Sequence, residues 1–133
     1  MTQFQAPLVL TGRILLAIMF VLGGYQKIGG FTGTQQYMEA FGVPGILLPL
    51  VILLELGGGL LIVVGFMTRW VSLAIAGFTL VAAAIFHNNF SDQMQVIMFL
   101  KNLGIAGGFL ILAAHGAGAW SLDARRGEIA VPA

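Results

Sequence analysis

Residues 46–66 read ILLPLVILLELGGGLLIVVGF, an apolar run in which Glu55 is the only ionisable residue. A run of this length can cross a bilayer, for which ~20 apolar residues suffice. A carboxylate at the bilayer centre costs at least ~2.5–3.5 kcal/mol on insertion scales. Glu55 therefore needs a compensating partner or a function, and the other polar residues of the apolar segments are the candidates.

The rest of the chain repeats the pattern. Of its 133 residues, 59% are hydrophobic and 8% charged, against ~25% charged in soluble domains. Four long apolar segments, 8–28, 46–66, 70–88 and 96–115, take up most of the length. The expected fold is an all-α integral membrane protein, a four-transmembrane-helix bundle forming a single membrane domain over 1–133. No basic residue precedes the first apolar run, so that run is expected to be an uncleaved helix. A net charge of +1 without a basic cluster argues against nucleic acid as a partner. Cysteine is absent, which removes disulfides, CxxC redox pairs and thiolate metal sites. Redox chemistry would need a bound cofactor or a partner.

The turn around Met67, Thr68 and Arg69 is short, so the second and third spans should be antiparallel neighbours. The first link, 29–45, is longer. In it Thr34 is expected to cap a short interfacial helix running to Phe41, ended by Gly42 and Pro44. Tyr37, Met38 and Phe41 would give that helix an apolar face, as a lid or as an ordinary surface loop. Pro49 should start or kink the second span. Arg69, Arg125 and Arg126 fall on the side of the termini, with Arg13 close by. The opposite loops carry Lys27, Glu39 and Asp92. The positive-inside rule then puts both termini in the cytoplasm.

Glycines crowd the second span (Gly57, Gly58, Gly59) and the fourth (Gly104, Gly107, Gly108). Gly104 and Gly108 form a GxxxG spacing, which lets membrane helices approach closely. Tight helix packing is the plain reading, and room for a flat ligand is the other.

Depth sorts the polar residues. At ~1.5 Å per residue, Glu55 lies ~13 Å and Lys101 ~7–8 Å from the same face of the bilayer. Helical side chains tilt toward their own N-terminus. Glu55 thus leans toward the level of Lys101, while Lys27 and His87 lean inward from the outer edge. One half of the bundle collects Glu55, Lys101, Asn102, Lys27 and His87, with Tyr25 close in sequence. Lys101 is the expected partner of Glu55, either as a helix-orienting pair or as part of a site. Arg13, leaning toward the other face, reads as a snorkelling anchor, as does Lys27. Asn102 serves equally as interhelical glue or as a ligand contact. His87 and His115 end their helices on opposite sides, so they cannot ligate one haem together. No residue group has metal-site spacing.

The ordered set Gly12-Arg13, Gly24-Tyr25-Gln26-Lys27, Gly42-Val43-Pro44, Glu55-Leu56-Gly57-Gly58, Gly65-Phe66-Met67-Thr68-Arg69, Phe86-His87, Phe99-Leu100-Lys101-Asn102-Leu103 and Gly116-Ala117-Gly118-Ala119-Trp120-Ser121-Leu122-Asp123 resembles the DoxX family of small bacterial membrane proteins. The resemblance implies a four-helix inner-membrane protein with a loose link to redox chemistry. Relatives include the membrane subunit of a thiosulfate:quinone oxidoreductase and members of envelope oxidative-stress complexes.

Three functions follow as expectations. The first is a quinone-interacting redox protein. Lys27, Lys101, Asn102 and Tyr25 would contact the ligand, and Glu55 and His87 would move protons as the catalytic pair. Two lysines against one glutamate would favour an anionic ligand, a reduced quinone or a small oxyanion. The second is a non-enzymatic anchor or assembly subunit for a redox partner protein, with Gly58, Gly104 and Gly108 serving packing and Arg13 and Arg69 topology. The third is a small proton-coupled transporter, expected to form a homo-oligomer.

Overall fold

The computed structural model describes residues 4–126. Its helices in chain order are α1 (Gln5–Gly29), α2 (Phe31–Ala40), α3 (Gly45–Val64), α4 (Thr68–Phe86), α5 (Gln93–His115) and α6 (Leu122–Arg125). Helices α1, α3, α4 and α5 are each long and apolar enough to cross a membrane. They alternate in direction, so α6 lies at the end of the bundle where α1 begins, the terminal end. Helix α2 sits at the other, the loop end.

The short helix in the first link differs from the expected one. It starts at Phe31, and Thr34 lies inside it, bonding back to the Gly30 carbonyl at 2.9 Å. The cap position falls to Gly30. A Gln35 Nε2 bond to the Gly45 carbonyl at 3.0 Å ties α2 to the start of α3. Pro49 stands in the first turn of the regular α-helical part of α3, after a 3₁₀ turn at Gly45–Leu47, where its missing N–H costs nothing.

The terminal end is held by polar groups. Helix α3 ends in a Schellman turn: Gly65, at φ +73°, and Phe66 return their N–H groups to Ile62 and Leu61. Arg13 comes from α1 and is 1% exposed. It donates from Nη1 to the carbonyls of Ile62 (3.1 Å) and Val63 (3.2 Å), and from Nη2 to that of Trp120. It is thus not a snorkelling anchor. Its lean toward the terminal end brings it to carbonyls of the last turn of α3, whose partial negative charge compensates the guanidinium. Asp123, also buried, accepts from the backbone N–H of Met67 (2.7 Å) and Thr68 (2.9 Å) and so caps α4. Met67 is held at φ +51°, the left-handed region that a non-glycine residue seldom adopts. The 120–123 segment is therefore part of the fold.

Glycines set one helix crossing. A Cβ on Gly59 would stand 2.7 Å from Val21 Cγ2 and 3.3 Å from the Ala17 carbonyl, and one on Gly24 would stand 2.8 Å from the Leu56 nitrogen. The backbones of α1 and α3 meet there. Gly58 faces Ile75 of α4. The expected GxxxG contact is not present: Gly104 is exposed with nothing within 4 Å of a Cβ, and only Gly108 meets α1, at Leu16. The two share a face of α5 one turn apart, at the flank of the inward Ala106–Phe109–Leu112 stripe, and α1 reaches that flank only at Gly108.

The core is one-sided. Ala17, Phe20, Ile62, Ile75, Ala76, Ala106, Phe109 and Leu112 form its buried cluster, with Phe20 and Phe109 edge to face at 5.5 Å. Ala17 and Phe20 stand near the middle of α1, and the others lie toward the terminal end of their helices. The loop half is hollow instead.

Two outcomes are expected from this packing. Gly59→Leu should lower stability by ~1–3 kcal/mol through overpacking, seen as a lower Tm in detergent, while Gly104→Leu should stay within ~0.5 kcal/mol of the parent. Arg13→Lys keeps the charge but cannot span three carbonyls. It should also lower the Tm, by an amount equivalent to the loss of one or two charged hydrogen bonds, ~1.5–3 kcal/mol each.

Candidate functional site

Arg13, Ala17, Phe20 and Gly24 are the buried residues of α1, and Lys27 continues their stripe at helical spacing. Across from it, α3 widens. Leu53–Gly57 form a π-turn in the helix, and Glu55 lies at its middle. Such bulges re-aim a side chain and recur at functional sites. Gly24 presses against Leu56 in the same turn, and a Cβ on Gly23 would be 3.6 Å from Glu55 Oε2 and 3.8 Å from Lys27 Nζ. Small residues on α1 thus make room for the carboxylate.

Glu55 Oε1 lies 2.8 Å from Lys27 Nζ, with side-chain exposures of 9% and 31%. Oε1 is thus met by the Lys27 ammonium and has no other donor. Glu55 pairs with Lys27, and the expected Glu55–Lys101 pair is not formed. Lys101 is exposed. Its neighbour Asn102 lies on the inward stripe of α5, and a one-residue step on a helix turns the side chain by ~100°, so the right depth came with the wrong face. Tyr25, 68% exposed, also points away from the interior, because the inward face of α1 passes through Gly24 and Lys27.

The pair borders a cavity of about 570 Å³ in the loop half. Its walls are mostly apolar and aromatic, among them Met19, Phe20, Val51, Phe78, Ile85 and Phe86. The polar residues on it are Lys27, Glu55, Thr34, Thr79, His87 and Asn102, with the Tyr37 ring. The cavity thus brings together Glu55, Lys27, His87 and Asn102 of the expected residues and leaves out Lys101 and Tyr25. Asn102 Nδ2 reaches the Thr79 carbonyl at 3.4 Å, and His87 Nδ1 lies 3.1 Å from Gln95 Oε1.

Helix α2 covers the cavity with Thr34, Tyr37 and Met38, spaced i, i+3, i+4. Tyr37 stacks on Phe86 of α4 at 5.4 Å, and Phe41 meets both rings. The lid reading of this helix thus has a contact surface. A second, more polar hollow of about 440 Å³ shares Gly23, Lys27, Thr34 and Tyr37 with the cavity and extends past Gln26, Gly30 and Gly33. It forms a vestibule beside the ion pair. Reading the sequence by depth did not find Thr79 or the π-turn. Thr79 lay inside an apolar span, where a threonine signals nothing unusual, and the triple glycine after Glu55 was the visible trace of the turn.

With Lys101 absent, the cavity carries one lysine and one glutamate.

The DoxX family model matches residues 8–88. The chain is 59% identical over 115 residues to "Inner membrane protein YqjF" of Escherichia coli (strain K12), covering 86% of this chain and 88% of that one. It is 40% identical over 125 residues to "Inner membrane protein YphA" of the same organism, covering 89% of each. It is 34% identical over 73 residues to "Putative oxidoreductase CatD" of Bacillus subtilis (strain 168), covering 55% of this chain and 54% of that one. No solved structure matches the chain.

Removing Lys27 strands a carboxylate that is nine-tenths buried. Lys27→Met should therefore destabilise by on the order of 2 kcal/mol, between the values for exposed and buried pairs. Lys27→Met combined with Glu55→Gln should recover most of that loss, and Lys101→Met should cost nothing measurable. Thermal unfolding of the three variants in one detergent gives the comparison.

Proposed function

The chain belongs to the DoxX family, and we propose that it is an inner-membrane protein whose loop-end cavity binds a quinone-like, membrane-soluble redox molecule. The carrying observation is the cavity itself: about 570 Å³ with apolar and aromatic walls and a charge-balanced Lys27–Glu55 pair at its edge. Small-molecule sites of ~300–1,000 Å³ with apolar walls and a few convergent polar groups are the common form of such pockets. A quinone head group suits these walls, and Lys27 and Glu55 offer it an ammonium and a carboxylate at the cavity's edge. The oxidoreductase name of the Bacillus subtilis relative supports a redox association for this chain.

A quinone, when bound, supplies the exchange of two electrons and two protons. The residues of the chain do the rest. The Lys27 ammonium donates a hydrogen bond to a ligand carbonyl. Glu55 holds or releases a proton beside it, and the vestibule next to Lys27 gives that proton a polar exit. The Tyr37–Phe86 stack and Met38 keep bulk water off the apolar walls. Because the cavity charge balances, a neutral ligand is favoured over a small oxyanion. The arginines at the terminal end, Arg69, Arg125 and Arg126, favour a cytoplasmic terminal end, so the cavity opens toward the outer half of the membrane. The chain has no cysteine, and a partner protein would supply or take the electrons.

The test is quinone binding in lipid nanodiscs, read by quenching of the protein's intrinsic fluorescence. Ala82 lines the cavity, and Ala82→Phe should fill it and weaken binding of a short-chain quinone at least tenfold, with the protein still monodisperse. Equal binding by the parent and by folded Ala82→Phe would remove the cavity as the site.

A further inference from the structure

The terminal end holds a hollow of its own, about 440 Å³, lined by Gly116, Ala117 and Gly118 together with Phe66, Arg69 and Arg126. The loop after α5 spends its carbonyls on the protein. That of Gly116 accepts from His115 Nδ1 (3.2 Å), that of Gly118 from Ser121 Oγ (2.7 Å), and that of Trp120 from Arg13. Its donors are unspent: among the described residues no hydrogen bond uses the N–H of Ala117 or Gly118, although Ala117 is 5% exposed. Buried backbone donors are nearly always paired. Successive N–H groups in a turn, here with Gly116 at φ +92° and Gly118 at φ +83°, form concavities that suit an anion.

The charged side chains of the hollow have the matching sign. The Arg126 guanidinium lies 4.8 Å from the centre of the Phe66 ring, a cation–π contact that steadies it without using its N–H groups. Among the described residues it has no ion pair and no hydrogen-bond acceptor. Arg69, held to the His115 carbonyl at 3.4 Å, adds a second positive charge. The carboxylate on the wall is that of Asp123, whose two oxygens already accept from the N–H groups of Met67 and Thr68. Thr68, fully buried on the same wall, has a hydroxyl without a partner. Trp70 also lines the hollow and is largely exposed, the setting of an aromatic ring at a membrane–water interface.

We infer that the terminal-end hollow binds a phosphate group. A tetrahedral oxyanion presents several acceptors at once, and the unspent donors here are the Arg126 guanidinium and the N–H groups of Ala117 and Gly118. A guanidinium meets a phosphate through two parallel hydrogen bonds, and Arg69 contributes charge. The hollow lies where α4 begins and α5 ends, at the membrane surface, so phospholipid headgroups are the nearest phosphates; free phosphate is the other source. This site is independent of the loop-end cavity and of the ligand proposed for it.

The experiment titrates the full chain in detergent with dioleoyl phosphatidylglycerol and, separately, with dioleoylglycerol, which has the same chains and no phosphate. Native mass spectrometry counts the bound lipid. The parent should retain the phospholipid in preference to the diacylglycerol. Arg126→Gln should weaken phosphatidylglycerol by about tenfold, the lower end for a charged hydrogen bond. Arg125→Gln removes the same charge one residue away, outside the hollow, and should stay within about twofold of the parent, as for an exposed charge. Both arginines are exposed, and an unchanged Tm verifies that each variant is folded. Inorganic phosphate at constant ionic strength, read by tryptophan fluorescence, separates the sources. Phosphate that binds, displaces the lipid and depends on Arg126 assigns a free anion, whereas lipid binding untouched by phosphate assigns a headgroup. Equal loss in the two variants reduces the effect to surface charge and overturns the site. Undiminished binding by Arg126→Gln overturns it too, as does a parent that binds neither the phospholipid nor phosphate.

Discussion

A guanidinium buried in a membrane helix has to be compensated on the spot, and the way Arg13 is compensated organises this bundle. Its partners are backbone carbonyls: two in the last turn of α3 and one in the segment after α5. Three stretches of chain distant in sequence are thereby fixed to one side chain. Asp123 completes the closure by occupying the N–H groups that open α4. Backbone groups at membrane depth need internal partners, and here two charged side chains provide them for both sides of the α3–α4 turn. The terminal end is thereby tied together, and most of the buried core cluster lies toward it.

A bundle tied at one end can stand open at the other. The loop half has no comparable clamp. Gly24 and Gly59 bring α1 onto α3 along the middle of the bundle, while α4 and α5 form another closely packed pair. The space between the pairs becomes the cavity, closed from the loop end by the aromatic contact of α2 with Phe86. The π-turn at Leu53–Gly57 belongs to the same arrangement. It sits where α1 comes closest, and it presents Glu55 to Lys27.

Much of this was legible in the sequence. Four spans followed from apolar length, and the tilt of helical side chains toward their N-termini put Glu55, Lys27, His87 and Asn102 in one half of the bundle, where the structure has them. What failed was azimuth. Depth places Lys101 but does not fix its face, and the inward stripe of α5 passes through Asn102, Ala106 and Phe109. Depth likewise does not separate exposed Tyr25 from buried Gly24, or open Gly104 from the close-packed Gly59. In an amphipathic soluble helix the polar face announces the azimuth. A membrane helix is apolar all round, so that signal is faint, and only small residues and the rare polar one mark the inward side. Arg13 was misread for a related reason. A sequence shows the charge but not the carbonyls, since a helix end offers its acceptors whatever its side chains are.

The hollow half also bears on how a ligand would be held. Lipid tails are as apolar as leucine, so closing helices on one another in a bilayer gains little hydrophobic free energy. What an unfilled apolar cavity forfeits is dispersion contact, small per atom pair and large in sum. A membrane-soluble ring entering from the lipid leaves an equally apolar medium. It gains by restoring those contacts at walls that the Arg13 clamp and the α1–α3 crossing have already set in place. The polar groups then act on orientation more than on affinity. Lys27, Glu55, Thr79, His87 and Asn102 are among the polar residues on the cavity wall. A ring lacking matching atoms would leave those groups bare in a medium where water cannot replace it. The discrimination of such a site thus lies in the mismatch it penalises, and the most buried of its polar groups carry most of it.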